Sequence, residues 1–148
     1  MYEVVAGEIV AAKSSSATGY DTYETIQYLA PSGQMAIQRG LVVPSDFSLH
    51  IANGNRIALG IMPLGRRRIC VAARSGMHLF LPDEAVKKTA AEVVREENSW
   101  WVQPLPIFWL LTVGVALVLS LPIVISMLAR PGSFLRQAQG VDWNRILP

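Results

Sequence analysis

The sequence predicts a mainly β protein with one transmembrane α-helix. Short runs of alternating apolar and polar residues, separated by turn residues, occupy residues 1–81 and are typical of a small antiparallel β-barrel or sandwich. A helical pattern follows these strands, and residues 98–129 then contain no charged side chain. These three observations predict a β-domain, a linking helix and a single C-terminal membrane span.

The clearest strand signal is a predicted hairpin around Asn53-Gly54. Apolar residues alternate with other residues along residues 47–51 and again along residues 57–61. Asn-Gly accepts the positive φ angles of a tight primed turn, so the two runs predict paired antiparallel strands. The stretch IANGNRIALG resembles the hairpins common in small SH3-like and OB-like barrels, and this resemblance implies a barrel of that size.

Further strands are predicted on both sides of this hairpin. The strand-like stretches are YEVVAGEIVAA, TYETIQYLA, GQMAIQRGLVV and MHLFL. The strand after the turn at residues 63–65 is predicted to alternate, with Ile69, Val71 and Ala73 on one face and Arg68, Cys70, Ala72 and Arg74 on the other. An open sheet of six or seven short strands would leave its edges unpaired, so a closed sheet is favoured.

Residues 82–103 are predicted to form a juxtamembrane helix followed by an interfacial aromatic segment. Proline and two acidic residues begin the stretch PDEAVKKTAAEVVREEN, where they suit the positive end of a helix dipole. Val86, Ala90 and Val93 form a narrow apolar seam along this helix. The helix is therefore expected to join the barrel to the membrane and to pack on one of them.

Residues 104–130 are predicted to cross a bilayer as one helix. The run from Pro106 to Ala129 lacks charge, and at about 1.5 Å per residue it spans roughly 36 Å, enough for a hydrocarbon core of about 30 Å. The alternative is a helix buried in a soluble protein, but too few residues remain in this chain to surround it. Pro122 predicts a kink, and Arg130-Pro131-Gly132 predicts the end of the helix. Residues 131–148 would form a short tail, lying along the membrane interface in one interpretation.

Two sets of residues in and beside the span are candidate contacts. The interfacial anchors are Trp100, Trp101, Trp109 and Arg130. Small residues recur every four positions at Thr112, Ala116 and Ser120, and such a stripe would let another helix approach closely. The plainer interpretation is that small residues are frequent in any membrane helix.

Charge and cysteine content exclude several classes of protein. Residues 1–97 hold ten acidic and ten basic residues, so this domain offers no electrostatic argument for nucleic acid. Cys70 is the only cysteine, and no intrachain disulfide is possible. The stretch MYEVVAGEIV lacks the basic start and apolar core of a signal peptide. We therefore expect the N-terminal domain in the cytoplasm, whereas the basic residues before and after the span slightly favour a cytoplasmic tail.

The sequence contains no pattern typical of an enzyme. His50 and His78 lack neighbouring metal ligands, no cofactor motif is present, and the acidic residues are dispersed along the strands. The strongest polar signal is basic: Arg66, Arg67, Arg68 and Arg74 are a candidate contact surface for anionic lipid or an acidic partner. The alternative is a solvated turn whose charges protect a strand edge.

These patterns favour a membrane-anchored accessory or structural subunit. Its β-domain would dock onto a larger membrane complex of the transport, secretion or respiratory type. The alternative is a membrane-tethered binding module that captures a lipid, a peptide or nucleic acid, with nucleic acid the least favoured. The expected partners are membrane lipid and other membrane protein subunits, and a homo-oligomer is a further option. No metal or cofactor is expected.

Overall fold

The computed structural model describes residues 1–17, 19–97 and 113–148. The strands are β1 (Glu3–Ala17), β2 (Tyr20–Leu29), β3 (Met35–Pro44), β4 (Arg56–Leu64), β5 (Arg67–Ser75) and β6 (His78–Phe80). The helices are α1 (Ser45–Ser48), α2 (Glu84–Glu97), α3 (Val113–Gln139) and α4 (Trp143–Ile146). Strands therefore fill the first part of the chain, and the longer helices follow them.

Five of the strands close into a small barrel. The sheet order is β3-β2-β1-β4-β5-β6, with antiparallel neighbours throughout. A parallel contact between β3 and β5 joins Leu41 to Arg68 and Val42 to Ile69, and this contact closes the sheet. Strand β6 adds to β5 outside the closed ring. The predicted small β-barrel is confirmed, and closure removes most of the exposed strand edges.

The long strand β1 pairs with two neighbouring strands, β4 and β2. Its first half pairs with β4, from Glu3 opposite Ile61 to Glu8 opposite Arg56. Its second half pairs with β2, and the register shifts between Ile9 and Ala11. Such a bulge bends a strand and increases its twist, so β1 can curve around the barrel.

The predicted hairpin around Asn53-Gly54 is wrong in its first strand. Gly54 does lie in a turn with φ of +83°, but residues 47–51 are not a strand, and α1 occupies the start of this region. Phe47 and Ile51 are both buried in the barrel interior. Their spacing of four residues fits one side of a helical turn as well as one face of a strand. Burial of both side chains at the end of the barrel favours the helical turn.

The predicted alternation of β5 is also corrected. Cys70 and Ala73 belong to the barrel interior, whereas Ile69, Val71 and Ala72 pack in the layer between barrel and helices. Gly60 of β4 pairs with Ala72, but the next residue, Ile61, pairs with Cys70. The extra residue in β5 breaks the period of two, which no simple alternation in the sequence predicts.

The protein has two apolar layers. The barrel interior contains Val5, Ile9, Tyr23, Ile26, Leu41, Val43, Phe47, Ile51, Ile57, Leu59, Ile61, Cys70 and Ala73. The second layer lies between the outer surface of the barrel and the helices, which contribute Val86, Ala90, Val93, Val94, Phe134, Leu135, Ala138, Trp143 and Leu147. Strand β4 is therefore buried on both faces, which explains its nearly continuous apolar sequence.

Helix α2 packs on the barrel by its predicted seam. The Asp83 carboxylate accepts hydrogen bonds from the backbone N–H groups of Ala85 (2.9 Å) and Val86 (3.3 Å), which satisfies two donors at the helix start. Val86, Ala90 and Val93 are fully buried. The predicted seam is confirmed, and its partners are the barrel and α3.

Helix α3 continues past the end that the sequence predicts. It runs through Pro122 and Pro131 to Gln139. A proline inside a helix removes one hydrogen bond and costs roughly 3 kcal/mol, but burial of Phe134 and Leu135 beyond it favours continuation. Residues 131–148 are thus not a free interfacial tail, because they pack on the barrel. Among the described residues, no helix has both the length and the apolar character required to cross a bilayer.

Candidate functional site

A cavity of about 720 Å³ opens on the outer surface of the barrel, and we call it the arginine cleft. Its walls come from β1, β4, the end of β5, the turn between β2 and β3, and Pro148. The polar side chains in these walls are Arg56, Arg74 and Glu8, and the apolar wall includes Leu29 and Pro31. The cleft therefore combines two guanidinium groups with an apolar surface.

The register between β4 and β5 explains why the two arginines share this cleft. Arg74 lies opposite Ala58, and Arg56 is two residues before Ala58 on the same face of β4. Diagonal neighbours of this kind have Cβ atoms roughly 7–8 Å apart. Two long basic side chains on these positions can thus reach a common point above the sheet.

The charges in the cleft are incompletely balanced. The Nε atom of Arg56 lies 3.7 Å from Oε2 of Glu8, and the Arg56 side chain is 87% exposed. Arg74 is half-buried, and within the described ranges its guanidinium has no ion pair or hydrogen bond. Among the side chains that line the cleft, one carboxylate thus faces two guanidinium groups, and its contact with Arg56 is long for a charge-assisted hydrogen bond.

The other predicted basic residues lie at the turn between β4 and β5. Arg67 forms an ion pair with Glu96 (3.1 Å), and Arg68 forms one with Glu3 (3.3 Å). The backbone N–H of Arg66 donates to the Glu97 carboxylate (3.1 Å). Acidic side chains from β1 and α2 thus neutralise much of this cluster, and Arg74 is separate from it.

Acidic side chains near the end of α2 contact two turns of the barrel. The Tyr20 hydroxyl donates to Oε2 of Glu96 (2.6 Å), and burial, followed by this hydrogen bond, raises the pKa of Tyr20. A Cβ atom at Gly19 would lie 2.9 Å from the Glu92 carboxylate, so that carboxylate rests directly on the β1–β2 turn. These contacts give the acids of α2 a structural role against the barrel.

The imidazole rings of the two histidines in the chain are in contact, although the two residues are far apart in sequence. The rings of His50 and His78 have centroids 5.0 Å apart, and Phe47 lies beside His50. No group of three or more potential metal ligands of the His, Cys, Asp or Glu type exists in the described part of the chain. Sequence reasoning missed this pair, because only the fold brings β6 next to the residues that follow α1.

Cys70 is a buried thiol with no nucleophilic character. Burial raises its pKa to about 12, and its Sγ donates a hydrogen bond to the Ala72 carbonyl (3.4 Å). A thiol with this pKa is protonated at neutral pH and does not attack substrates. Cys70 is therefore a structural residue of the barrel interior.

The middle of α3 exposes apolar side chains. Leu121, Val124, Ile125 and Leu128 are all exposed, with Leu128 at 78%. Arg130 is exposed as well. The backbones at Ala116 and Ser120 lie in α3, whereas Thr112, Trp100, Trp101 and Trp109 lie outside the described residues.

Comparison with known proteins gives no assignment, since no family model, no curated protein and no solved structure matches this chain. Any function must therefore be inferred from the arginine cleft, from the exposed apolar residues of α3 and from the part of the barrel surface that the helices do not cover.

Proposed function

We propose that this protein is a membrane-associated accessory subunit. In this proposal the apolar segment around the start of α3 anchors the chain in a bilayer, and the barrel docks onto a larger membrane complex of the transport, secretion or respiratory type. The partners are membrane lipid and other membrane protein subunits. The proposal involves no catalytic reaction.

The observation that carries the proposal is the contrast between the segments of α3 before Arg130 and after Pro131, among the residues whose side chains the structure describes. After Pro131 the helix buries Phe134, Leu135 and Ala138 against the rest of the protein. Before Arg130 it exposes Leu121, Val124, Ile125 and Leu128. Exposed apolar side chains in such a group mark contact with a membrane or another protein, because in water they would favour aggregation.

The sequence before α3 is also apolar. The uncharged run begins at Asn98, its residues before Val113 lie outside the described ranges, and the stretch from Pro106 to Ala129 is long enough for a bilayer. Leu128 and Arg130 mark its other end, where an arginine beside apolar residues suits a membrane interface. We place the barrel on the cytoplasmic side.

A second apolar surface supports docking by the barrel. The helices cover β4 and β5, but the hairpin of β2 and β3 exposes Leu29, Met35 and Ile37. Leu29 lies directly opposite Met35, and Ile37 follows two residues later, so the three share one face. This face offers another protein an apolar contact beside polar neighbours, as protein interfaces commonly do.

Extraction of membranes with alkaline carbonate tests the anchoring. The native chain should stay in the pellet, and Leu121→Lys with Ile125→Lys should move it to the supernatant, because two charges in the apolar segment oppose insertion. The matched control is Leu49→Lys, which alters a leucine of the barrel domain that is 84% exposed and remote in sequence from α3. Release of the native chain by carbonate would contradict the proposed anchoring.

A second candidate function is a membrane-tethered binding module for a lipid, a peptide or nucleic acid. The observation that favours it is the connectivity of the barrel, in which β1 pairs with β2 and β4, and β3 pairs with β5. This arrangement is similar to that of OB barrels, small Greek-key barrels that bind oligonucleotides and oligosaccharides. A ligand that binds the purified chain without any protein partner would favour this candidate.

A further inference from the structure

We propose that the arginine cleft is a binding site for an organic phosphate, held between the guanidinium groups of Arg56 and Arg74. The site goes beyond the accessory role and does not depend on it, because strands of the barrel and the β2–β3 turn form its walls. The phosphate would lie above the outer face of β4 and β5.

The unbalanced charge of the cleft points to an anion. Arg74 is half-buried and has no counter-charge among the described residues, so an anion in the cleft would be its first charged partner. Arg56 is paired with Glu8 only through Nε at 3.7 Å, so its terminal N–H groups remain free for a ligand. An anion between the two arginines would satisfy both.

The arrangement of the two arginines favours phosphate over carboxylate. One guanidinium can satisfy both oxygens of a carboxylate in a bidentate pair. Here two guanidinium groups start from diagonal positions on neighbouring strands, from which both side chains are long enough to reach one anion. A phosphate monoester presents three terminal oxygens and up to two negative charges, and it can therefore accept hydrogen bonds from both groups at once.

The rest of the cleft suits the organic part of the ligand. Its volume of about 720 Å³ falls within the range of roughly 300–1,000 Å³ that is typical of small-molecule sites. Leu29 and Pro31 supply an apolar wall on the side of the β2–β3 turn. Gly33 and Gly76 also line the cleft, and the space beside them is open, since a Cβ atom at either position would meet nothing within 4 Å.

Two sources could supply this chemistry: the headgroup of an anionic lipid or a soluble phosphate ester. We would titrate the full chain, in a zwitterionic detergent, with glycerol 3-phosphate and with dihexanoyl phosphatidic acid by calorimetry, and use glycerol as the neutral control. At least tenfold tighter binding of phosphatidic acid assigns the lipid source, and equal binding assigns the soluble ester. Either result requires that glycerol itself does not bind.

Variants test whether the cleft is the site. Arg56→Gln and Arg74→Gln should each weaken binding at least tenfold, and the double variant should abolish it. The matched control is Arg66→Gln, which removes an exposed arginine at the β4–β5 turn and should change binding less than twofold. Ala30→Phe keeps every charge but fills the cleft from the β2–β3 turn, and it should also abolish binding.

The proposal is overturned if neither phosphate binds the native chain, or if Arg74→Gln and Ala30→Phe bind as the native chain does. Circular dichroism and thermal melting of each variant exclude unfolding as the cause of a loss. Carbonate extraction of the same variants tests membrane anchoring independently of the phosphate site. A chain that binds phosphate but is released by carbonate would refute membrane anchoring and leave the phosphate site intact.

Discussion

The indole ring of Trp143 lies directly on the backbone of Gly60. A Cβ atom at Gly60 would overlap the ring carbons Cζ3 and Cε3. The ring is buried, and its Nε1 donates a hydrogen bond to the Ala138 carbonyl (2.7 Å). The edge of the Tyr2 ring also contacts it. The contact of Trp143 with Gly60 helps to attach the C-terminal segment to β4 and requires a residue without a side chain at position 60.

Replacement of Gly60 by alanine should therefore destabilise the protein. The methyl group must displace a packed ring, and such overpacking costs about 1–3 kcal/mol. For a chain of this size, each kcal/mol corresponds to a decrease in the melting temperature of roughly 2–4 °C. Thermal melting followed by circular dichroism in the detergent-solubilised chain measures the effect.

The matched control is Gly132→Ala in α3. A Cβ atom at Gly132 would meet nothing within 4 Å, and alanine is the better helix former by about 0.5–1 kcal/mol. This variant should melt at the same or a higher temperature. If Gly60→Ala were equally harmless, the ring of Trp143 could not lie on β4 as described.

The phenol of Tyr23 should make the fold sensitive to alkaline pH. Burial, with a smaller contribution from the Asp21 carboxylate, raises its pKa to about 12 from about 10 in the unfolded chain. Because the folded pKa is the higher one, its contribution to stability is complete below about pH 10 and is lost as the pH rises through about 12. Tyr23→Phe should raise the pH midpoint of alkaline unfolding.

The loss of the Tyr23 hydroxyl has a second effect that must be separated from the first. This hydroxyl donates to the Ser48 carbonyl (3.2 Å), so Tyr23→Phe also costs about 0.5–1.5 kcal/mol at neutral pH. The free energy of unfolding is therefore compared between pH 7 and the alkaline range for each variant. Tyr2→Phe serves as the control, since the Tyr2 ring is about half-exposed. A parallel pH dependence of native chain and Tyr23→Phe would exclude Tyr23 as the titrating group.

Cys70 should resist thiol reagents as long as the barrel is folded. Its side chain is fully buried, and burial raises its pKa to about 12. The reactive thiolate is therefore scarce at neutral pH, and reagents have no access to it. Labelling with a chromogenic disulfide should follow the unfolding rate in denaturant. Rapid labelling of the native protein would show that the barrel opens locally at β5.

Several features of the fold could be predicted from local patterns. The Val86, Ala90 and Val93 seam follows the helical period, and the seam is confirmed. The Phe47 and Ile51 pair could not be assigned, because a spacing of four residues fits a helical turn and one face of a strand equally well. Only the end of the barrel, which these two side chains fill, distinguishes the two.

The arginine cleft could not be predicted for a different reason. Arg56 and Arg74 are eighteen positions apart in the sequence, and their proximity depends on the register between β4 and β5. A bulge in β5 shifts that register within the strand pair, and a shift of one residue moves a side chain to the other face. The sequence instead predicted one basic contact surface made of Arg66, Arg67, Arg68 and Arg74. In the structure, the neighbours of Arg66, Arg67 and Arg68 are acidic residues of α2 and β1.

The last prediction concerns α3 as a surface for another helix. Ala116 and Ser120 are four residues apart in α3, a spacing that places them on the same side of the helix. If this side packs against a partner helix, Ala116→Leu prevents close approach of the two backbones and should reduce recovery of co-purifying membrane proteins. Val118→Leu adds bulk about 200° away around the helix and should leave recovery unchanged. Because leucine favours membrane insertion in both variants, a change confined to Ala116→Leu reports packing and not anchoring. Equal recovery from all three chains would leave α3 as an anchor alone, and the exposed face of Leu29, Met35 and Ile37 would then be the surface to test for docking.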